Sequence, residues 1–161
     1  MSLTCMFPGW RTAVVCLYVT VSLTHVSDAR ADADKRAPRN DVYVSECGGC
    51  HVAFPPRLLP GSSWGSVMSR LDRHFGTDAS VDTAANSRIS AYLQQYAGRK
   101  APPPSTESPR ITETAWFSRE HRKVPTAAWS HGSVGTRTNC AGCHTRAEAG
   151  SYRETEIRIP Q

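Results

Sequence analysis

Every cysteine beyond residue 31 falls in one of two copies of a single pattern, Cys47-Gly48-Gly49-Cys50-His51 and Cys140-Ala141-Gly142-Cys143-His144. A pair of thiols with two residues between them and a histidine directly after is the attachment motif for a c-type haem. The spacing has a chemical reason. Two thiols about one helical turn apart can reach the two vinyl groups on one edge of a porphyrin and form thioethers. The next residue then projects under the ring, where an imidazole nitrogen can bind iron. The small residues between, Gly48-Gly49 and Ala141-Gly142, would let the backbone lie close to the porphyrin edge. Two such motifs require a fold built around two large, covalently held apolar groups, with Cys47, Cys50, Cys140 and Cys143 as attachment points and His51 and His144 as proximal ligands.

Other uses of four cysteines fit less well. A zinc site could take both pairs as four thiolates, but nothing in zinc chemistry asks for a histidine immediately after each pair. A thioredoxin-like redox pair needs a βαβ setting, and no strand-rich stretch is present. A disulfide within each pair would close a very small loop and add little stability.

The N-terminus reads as an address. Arg11 precedes a short apolar run, Thr12 to Leu23, and Ala29 and Ala31 follow in the spacing of a cleavage site. Residues 1–31 are therefore expected to be a removed signal peptide, with Cys5 and Cys16 inside it. Haem attachment then takes place outside the cytosol, and no stable membrane insertion remains after cleavage. No run in the rest of the chain approaches the about 20 apolar residues of a membrane helix. With 161 residues, 39% hydrophobic, 11 Gly and 11 Pro, the side chains alone would build modest cores, and a haem would supply what they lack.

The body reads as two haem-binding halves, residues 32–100 and 111–161, joined by a proline-rich linker over 101–110 that can neither continue a helix nor pack. The lead-in from Asp32 to Arg39 is charged and reads as mobile. In the first half, Asp41 can cap a segment that places Tyr43, Cys47, Cys50 and His51 on one helical face. Ser62 or Ser63 can cap a second, with Trp64, Val67, Met68, Leu71 and Phe75 as its apolar stripe and Gly76 as its stop. Asp78 or Ser80 can start a third, lined by Val81, Ala85, Ile89, Tyr92, Leu93 and Tyr96. The fold class expected is all-α.

What occupies the sixth position of each iron decides function. The candidates are His74, His121, His131 and Met68. His74 falls on the expected apolar stripe of the second helix, where an unpartnered imidazole is costly, and iron would be a partner. Met68 shares that stripe and is also explained as core. For the second haem, His121 lies four residues after Phe117 on a short helical segment. His131 is nearer the attachment site in sequence, a shorter connection that favours His121, but spacing alone leaves both open.

Taken together, these residues resemble the bacterial dihaem cytochromes c found with the oxygen-binding monohaem cytochrome called sphaeroides haem protein. The resemblance runs from Asp41 to Gln161. It rests on Glu46 to His51, Leu58-Leu59-Pro60 with Trp64, Leu71 to Gly76, Arg110-Ile111-Thr112, and Trp116-Phe117 with Arg119-Glu120-His121. In the C-terminal part it adds Asn139 to His144, Ala147-Glu148 with Gly150, and the ending Arg158-Ile159-Pro160. It implies a class I cytochrome c-like N-terminal haem domain and a smaller, loop-rich C-terminal haem domain. It further implies bis-histidine iron at both haems, with His74 serving the first and His121 the second, while His131 falls on no family motif. The implied role is periplasmic electron transfer rather than enzymatic turnover, with an oxygen-binding monohaem cytochrome or a membrane cytochrome as partner.

Two histidine ligands leave no open site for substrate, and they lower the potential relative to His/Met ligation. Arg57, Arg70 and Arg73 flank the first haem's segments and could pair with propionates or simply form a solvated basic face. The whole chain carries a net charge of +5. Cleavage after Ala31 removes Arg11, Arg30 and Asp28, leaving one positive charge fewer, and each ferric haem with ionised propionates subtracts about one more. Charge therefore gives no case for nucleic acid or an anionic membrane as partner. The alternative function is a haem enzyme, a small peroxidase or sulfur-compound oxidoreductase, or a gas-binding protein. Each needs one iron with an open site and, for an enzyme, an acid–base group such as His131 or Glu120 above it.

Overall fold

A computed structural model describes residues 37–99 and 110–161. The expected signal peptide and nearly all of the expected linker lie outside these residues. The described residues form five α-helices joined by turns and short 3-10 segments, with only two isolated β-bridges, His74 to Thr77 and His144 to Ile157. The all-α expectation holds.

Helix α1 spans Asp41–Cys47. Its cap is Asn40 and not Asp41: the Asn40 side chain accepts from the Tyr43 backbone N–H at 2.9 Å. Asp41 sits instead in the first turn, where its carboxylate favours the positive helix end. The helix stops at Cys47, so Cys50 and His51 lie in the following turn and not on the helical face expected for them. Of the lead-in only residues 37–39 are described, and there the Tyr92 hydroxyl donates to the Pro38 carbonyl at 3.0 Å.

Helix α2 spans Gly61–Met68 and has Pro60, rather than Ser62 or Ser63, at its cap position, with no side-chain cap bond. It is shorter than the apolar stripe implied. The Ser66 hydroxyl bonds back to the Ser62 carbonyl and the Ser69 hydroxyl to the Ser66 carbonyl, a competition that weakens continuation of the helix. Asn86 of the next helix donates to the Met68 carbonyl at 3.2 Å and closes the end. Leu71–Arg73 then forms a 3-10 turn with His74 as its C-cap. His74 therefore sits on a loop, not on a helical stripe.

Helix α3, Thr83–Tyr96, starts at neither Asp78 nor Ser80. Asp82 caps it by accepting from the N–H groups of Ala84 and Ala85, both at 2.8 Å. Ala85, Ile89 and Leu93 form its buried edge and pack on α2 and α1. The core joins Tyr43, Leu59, Trp64, Met68, Ile89 and Leu93. Two polar tips inside it are satisfied: Trp64 Nε1 donates to Pro56 O at 2.7 Å, and Tyr43 Oη to Phe54 O at 2.9 Å. Met68 belongs to this core.

The second half has two short helices, α4 (Ala115–Glu120) and α5 (Thr126–Ser130), followed by 3-10 turns at Cys140–Gly142, Ala147–Ala149 and Glu154–Glu156. Its buried apolar residues are few: Phe117, Ala128, Val134 and Ala147. The chain end folds back along the attachment segment, with Arg158 N donating to Cys143 O at 2.8 Å and Thr145 N to Glu156 O at 3.3 Å.

Candidate functional site

The first attachment turn begins where α1 ends. Cys47 is half-buried under the core, and burial, aided by the Glu46 carboxylate, pushes its thiol up to about 11. Burial likewise raises Cys140 and Cys143. These thiols are shifted away from the lowered value that activates a redox pair, and none of the four is joined in a disulfide.

His51 is oriented by two contacts. Its ring stacks on Phe54 with centres 4.5 Å apart, and its Nδ1 lies 2.8 Å from the Val52 carbonyl. A carbonyl can only accept, so Nδ1 carries the proton and Nε2 presents a lone pair. Opposite stands His74, with ring centres 6.2 Å apart. Burial lowers the His74 pKa, and the charges of His51 and Arg110 lower it further, which keeps it in the neutral form that binds metal. The loop carrying His74 is fixed by Thr77 N donating to His74 O at 3.1 Å and Ala79 N to Leu71 O at 2.8 Å.

The second motif repeats this arrangement with different supports. His121 caps the C-terminus of α4, its ring stacked on Phe117 with centres 4.0 Å apart. Its Nδ1 lies 2.9 Å from the Phe117 carbonyl, again leaving Nε2 as the lone pair. His144 faces it with ring centres 6.1 Å apart. Burial lowers the His144 pKa, with the His121 charge adding to the effect. Tyr152 packs against His144 from another side at 5.1 Å.

Both pairs fit one metal between two imidazoles. With bonds of about 2 Å and a further ~1.1 Å from nitrogen to ring centre, two rings on opposite sides of an iron have centres about 6 Å apart. A zinc site finds no such support: among the described residues no group of three or more His, Cys, Asp or Glu side chains is placed to hold a metal ion.

His131 is elsewhere engaged. It is exposed, and its Nδ1 accepts from the Ser133 backbone N–H at 3.2 Å; the imidazole opposite His144 is that of His121. Of the arginines singled out by position, Arg73 is exposed and paired with Asp72 at 3.2 Å, and Arg57 lines a cavity of about 890 Å³. Gly48 to His51 of the first motif and Asn139 and Ala141 of the second border that same space. The motif glycines differ in their reasons to be small: a Cβ at Gly48 would run into the Val44 carbonyl oxygen. Gly49 faces open space, whereas a Cβ at Gly142 would lie 2.9 Å from the Ser133 carbonyl oxygen and 3.1 Å from Val134 Cα. At Gly142 the chain's own backbone makes the demand.

The rings that meet the four imidazoles, Phe54 at His51, Phe75 at His74, Trp129 at His121 and Tyr152 at His144, were not identified as site residues from sequence. Tyr152, eight residues past its motif, carries no local signal.

The family model for dihaem cytochrome c matches residues 43–152. The chain belongs to the dihaem cytochrome c family. A diheme cytochrome type c from Shewanella baltica is 37% identical, with a TM-score of 0.67 over 76% of this chain and 94% of that one. A diheme cytochrome c from Rhodobacter sphaeroides is 35% identical, with a TM-score of 0.64 over 73% of this chain and 99% of that one. No curated protein matches significantly. As a dihaem cytochrome c the chain carries two haem c groups with iron and works in electron transfer with redox partners. Among the described residues no helix is long and apolar enough to cross a membrane.

Proposed function

We propose that this dihaem cytochrome c is a periplasmic electron carrier whose two irons are both bis-histidine ligated, the first by His51 and His74 and the second by His144 and His121. Cys47 and Cys50 hold the first haem and Cys140 and Cys143 the second. The observation that carries this reading is the pair of facing imidazoles at 6.2 and 6.1 Å. Each haem iron, when bound, supplies a one-electron couple. The chain's residues do the rest. With two imidazoles held for each iron, the chain would leave no site for substrate and would offer the same ligands in both oxidation states. The Val52 and Phe117 carbonyls fix the tautomers of His51 and His121, which raises ligand basicity and holds the rings in place. Phe54, Phe117 and Tyr152 give the imidazoles an apolar, tightly packed surround.

Residues 1–31 act as a signal peptide in this reading, residues 32–100 and 111–161 form the two haem-binding halves, and the partner is another haem protein, soluble or membrane-bound. The test is the mass of the purified full-length product. Mature protein should begin near Asp32, retain two haems after acid–organic extraction and show no alkylatable thiol. An apoprotein mass, a single haem, or an intact Met1 on membrane-bound protein would contradict it.

A further inference from the structure

Arg110, the last residue of the expected linker, leads into the second half, and its guanidinium carbon lies 4.2 Å from the centre of the Phe75 ring. Phe75 directly follows His74, and their rings meet edge-on at 4.8 Å. The backbone there is unusual. Phe75 has φ of 50° and is the only non-glycine with positive φ among the described residues; Gly76 follows at 100°. A bulky side chain in the left-handed region persists only where its surroundings hold it. Arg110 is well placed to hold it, because it is itself anchored on its own side. Its Nε pairs with Glu113 Oε1 at 3.4 Å, and the next residue, Ile111, packs against the core of the first half. The same short segment leads through Thr114, which caps α4, to His121.

We propose that Arg110 is a positioning residue for the first haem: by clamping the Phe75 ring it holds the strained His74 loop against the iron, so that the segment leading into the second half governs how readily the first iron's sixth position opens. The proposal rests on the bis-histidine reading above. A cation lying on an aromatic face is stabilised by the ring quadrupole, and here the aromatic is covalently next to the ligand. When His74 leaves the iron, the loop must move, and Phe75 must move with it. The contact with Arg110 opposes that motion, while the strain at Phe75 favours it.

The experiment uses the full-length holoprotein with both haems. Arg110→Met keeps the aliphatic stem and removes the cation; Arg110→Lys restores a cation; Arg88→Ala, exposed on α3, removes the same net charge elsewhere. The readout is the rate of carbon monoxide binding to the ferrous protein, a reaction that a bis-histidine iron permits only after a histidine departs. His74→Ala identifies which haem responds. Arg110→Met should speed binding at the first haem about two- to fivefold, as expected for loss of one exposed cation–π contact. Arg110→Lys should fall between it and wild type, and Arg88→Ala should equal wild type. If His74→Ala opens the first iron yet Arg110→Met binds carbon monoxide no faster than Arg88→Ala, the clamp is wrong and the ligand assignment stands. If His74→Ala leaves the first iron closed, the ligand assignment fails and the clamp with it.

Discussion

His74→Ala is expected to turn the first haem high-spin and open it to carbon monoxide while leaving the second unchanged, so that about half of the total haem responds. The ring of His74 faces that of His51 across 6.2 Å, and alanine cannot reach an iron between them. Met68, the other sulfur or nitrogen donor considered for this iron, is committed to the core with Tyr43, Trp64 and Ile89. It should not substitute. His121→Ala should produce the same change at the second haem, because His121 faces His144 across 6.1 Å. His131→Ala should leave both spectra as in wild type, since His131 is exposed and bonded to Ser133. Absorption and magnetic spectra of the three ferric variants, with and without reduction under carbon monoxide, check all of this. An iron opened by His131→Ala and not by His121→Ala would reverse the second assignment.

The second large effect concerns folding. Replacing Cys140 and Cys143 together by alanine should remove the second haem and leave the second half largely unfolded, while the first half keeps its haem and its core. The two halves differ in what their side chains bury. The first has a contiguous cluster from Tyr43 to Leu93, including a helix of 14 residues. The second buries only Phe117, Ala128, Val134 and Ala147, and its helices are six and five residues long. Helices that short do not persist in water without packing, and a core that small cannot offset the ordering of the chain. A covalent haem between His121 and His144 would supply the missing apolar surface. Limited proteolysis should then cut the variant within residues 111–161 and spare residues 41–97. A second half that stayed protease-resistant without its haem would show that its own side chains suffice.

Much of the proposed site is legible in the sequence because covalent haem attachment imposes a local pattern. Cys47, Cys50, His51, Cys140, Cys143 and His144 are each named by their neighbours in sequence, and no tertiary information is needed. The inner edge of α3 was legible for a similar reason: Ala85, Ile89 and Leu93 recur at helical spacing. Helix ends were not. Asn40 took the cap from Asp41, and Asp82 took it from Asp78 and Ser80, because several capping residues stood side by side and only the three-dimensional path selects one.

His74 is the instructive case. Its candidacy came from a helical stripe that α2 does not have, since the helix ends at Met68 with its last carbonyl capped by Asn86, a residue 18 positions away. The loop nonetheless brings His74 opposite His51. What recommended His74, the cost of leaving an imidazole unpartnered among apolar groups, depends on burial and not on helical geometry. The contact of Arg110 with Phe75 was out of reach of any local pattern, because 35 positions separate the two residues.

The most direct measurement is one absorption spectrum of the ferric wild-type protein, followed by reduction with dithionite under carbon monoxide. Bis-histidine ligation at both irons predicts six-coordinate, low-spin ferric haem throughout and a ferrous spectrum that carbon monoxide alters only slowly. A high-spin ferric component, or immediate carbon monoxide binding at half the haem, would contradict it and point to a haem with an open site for a gas or a substrate.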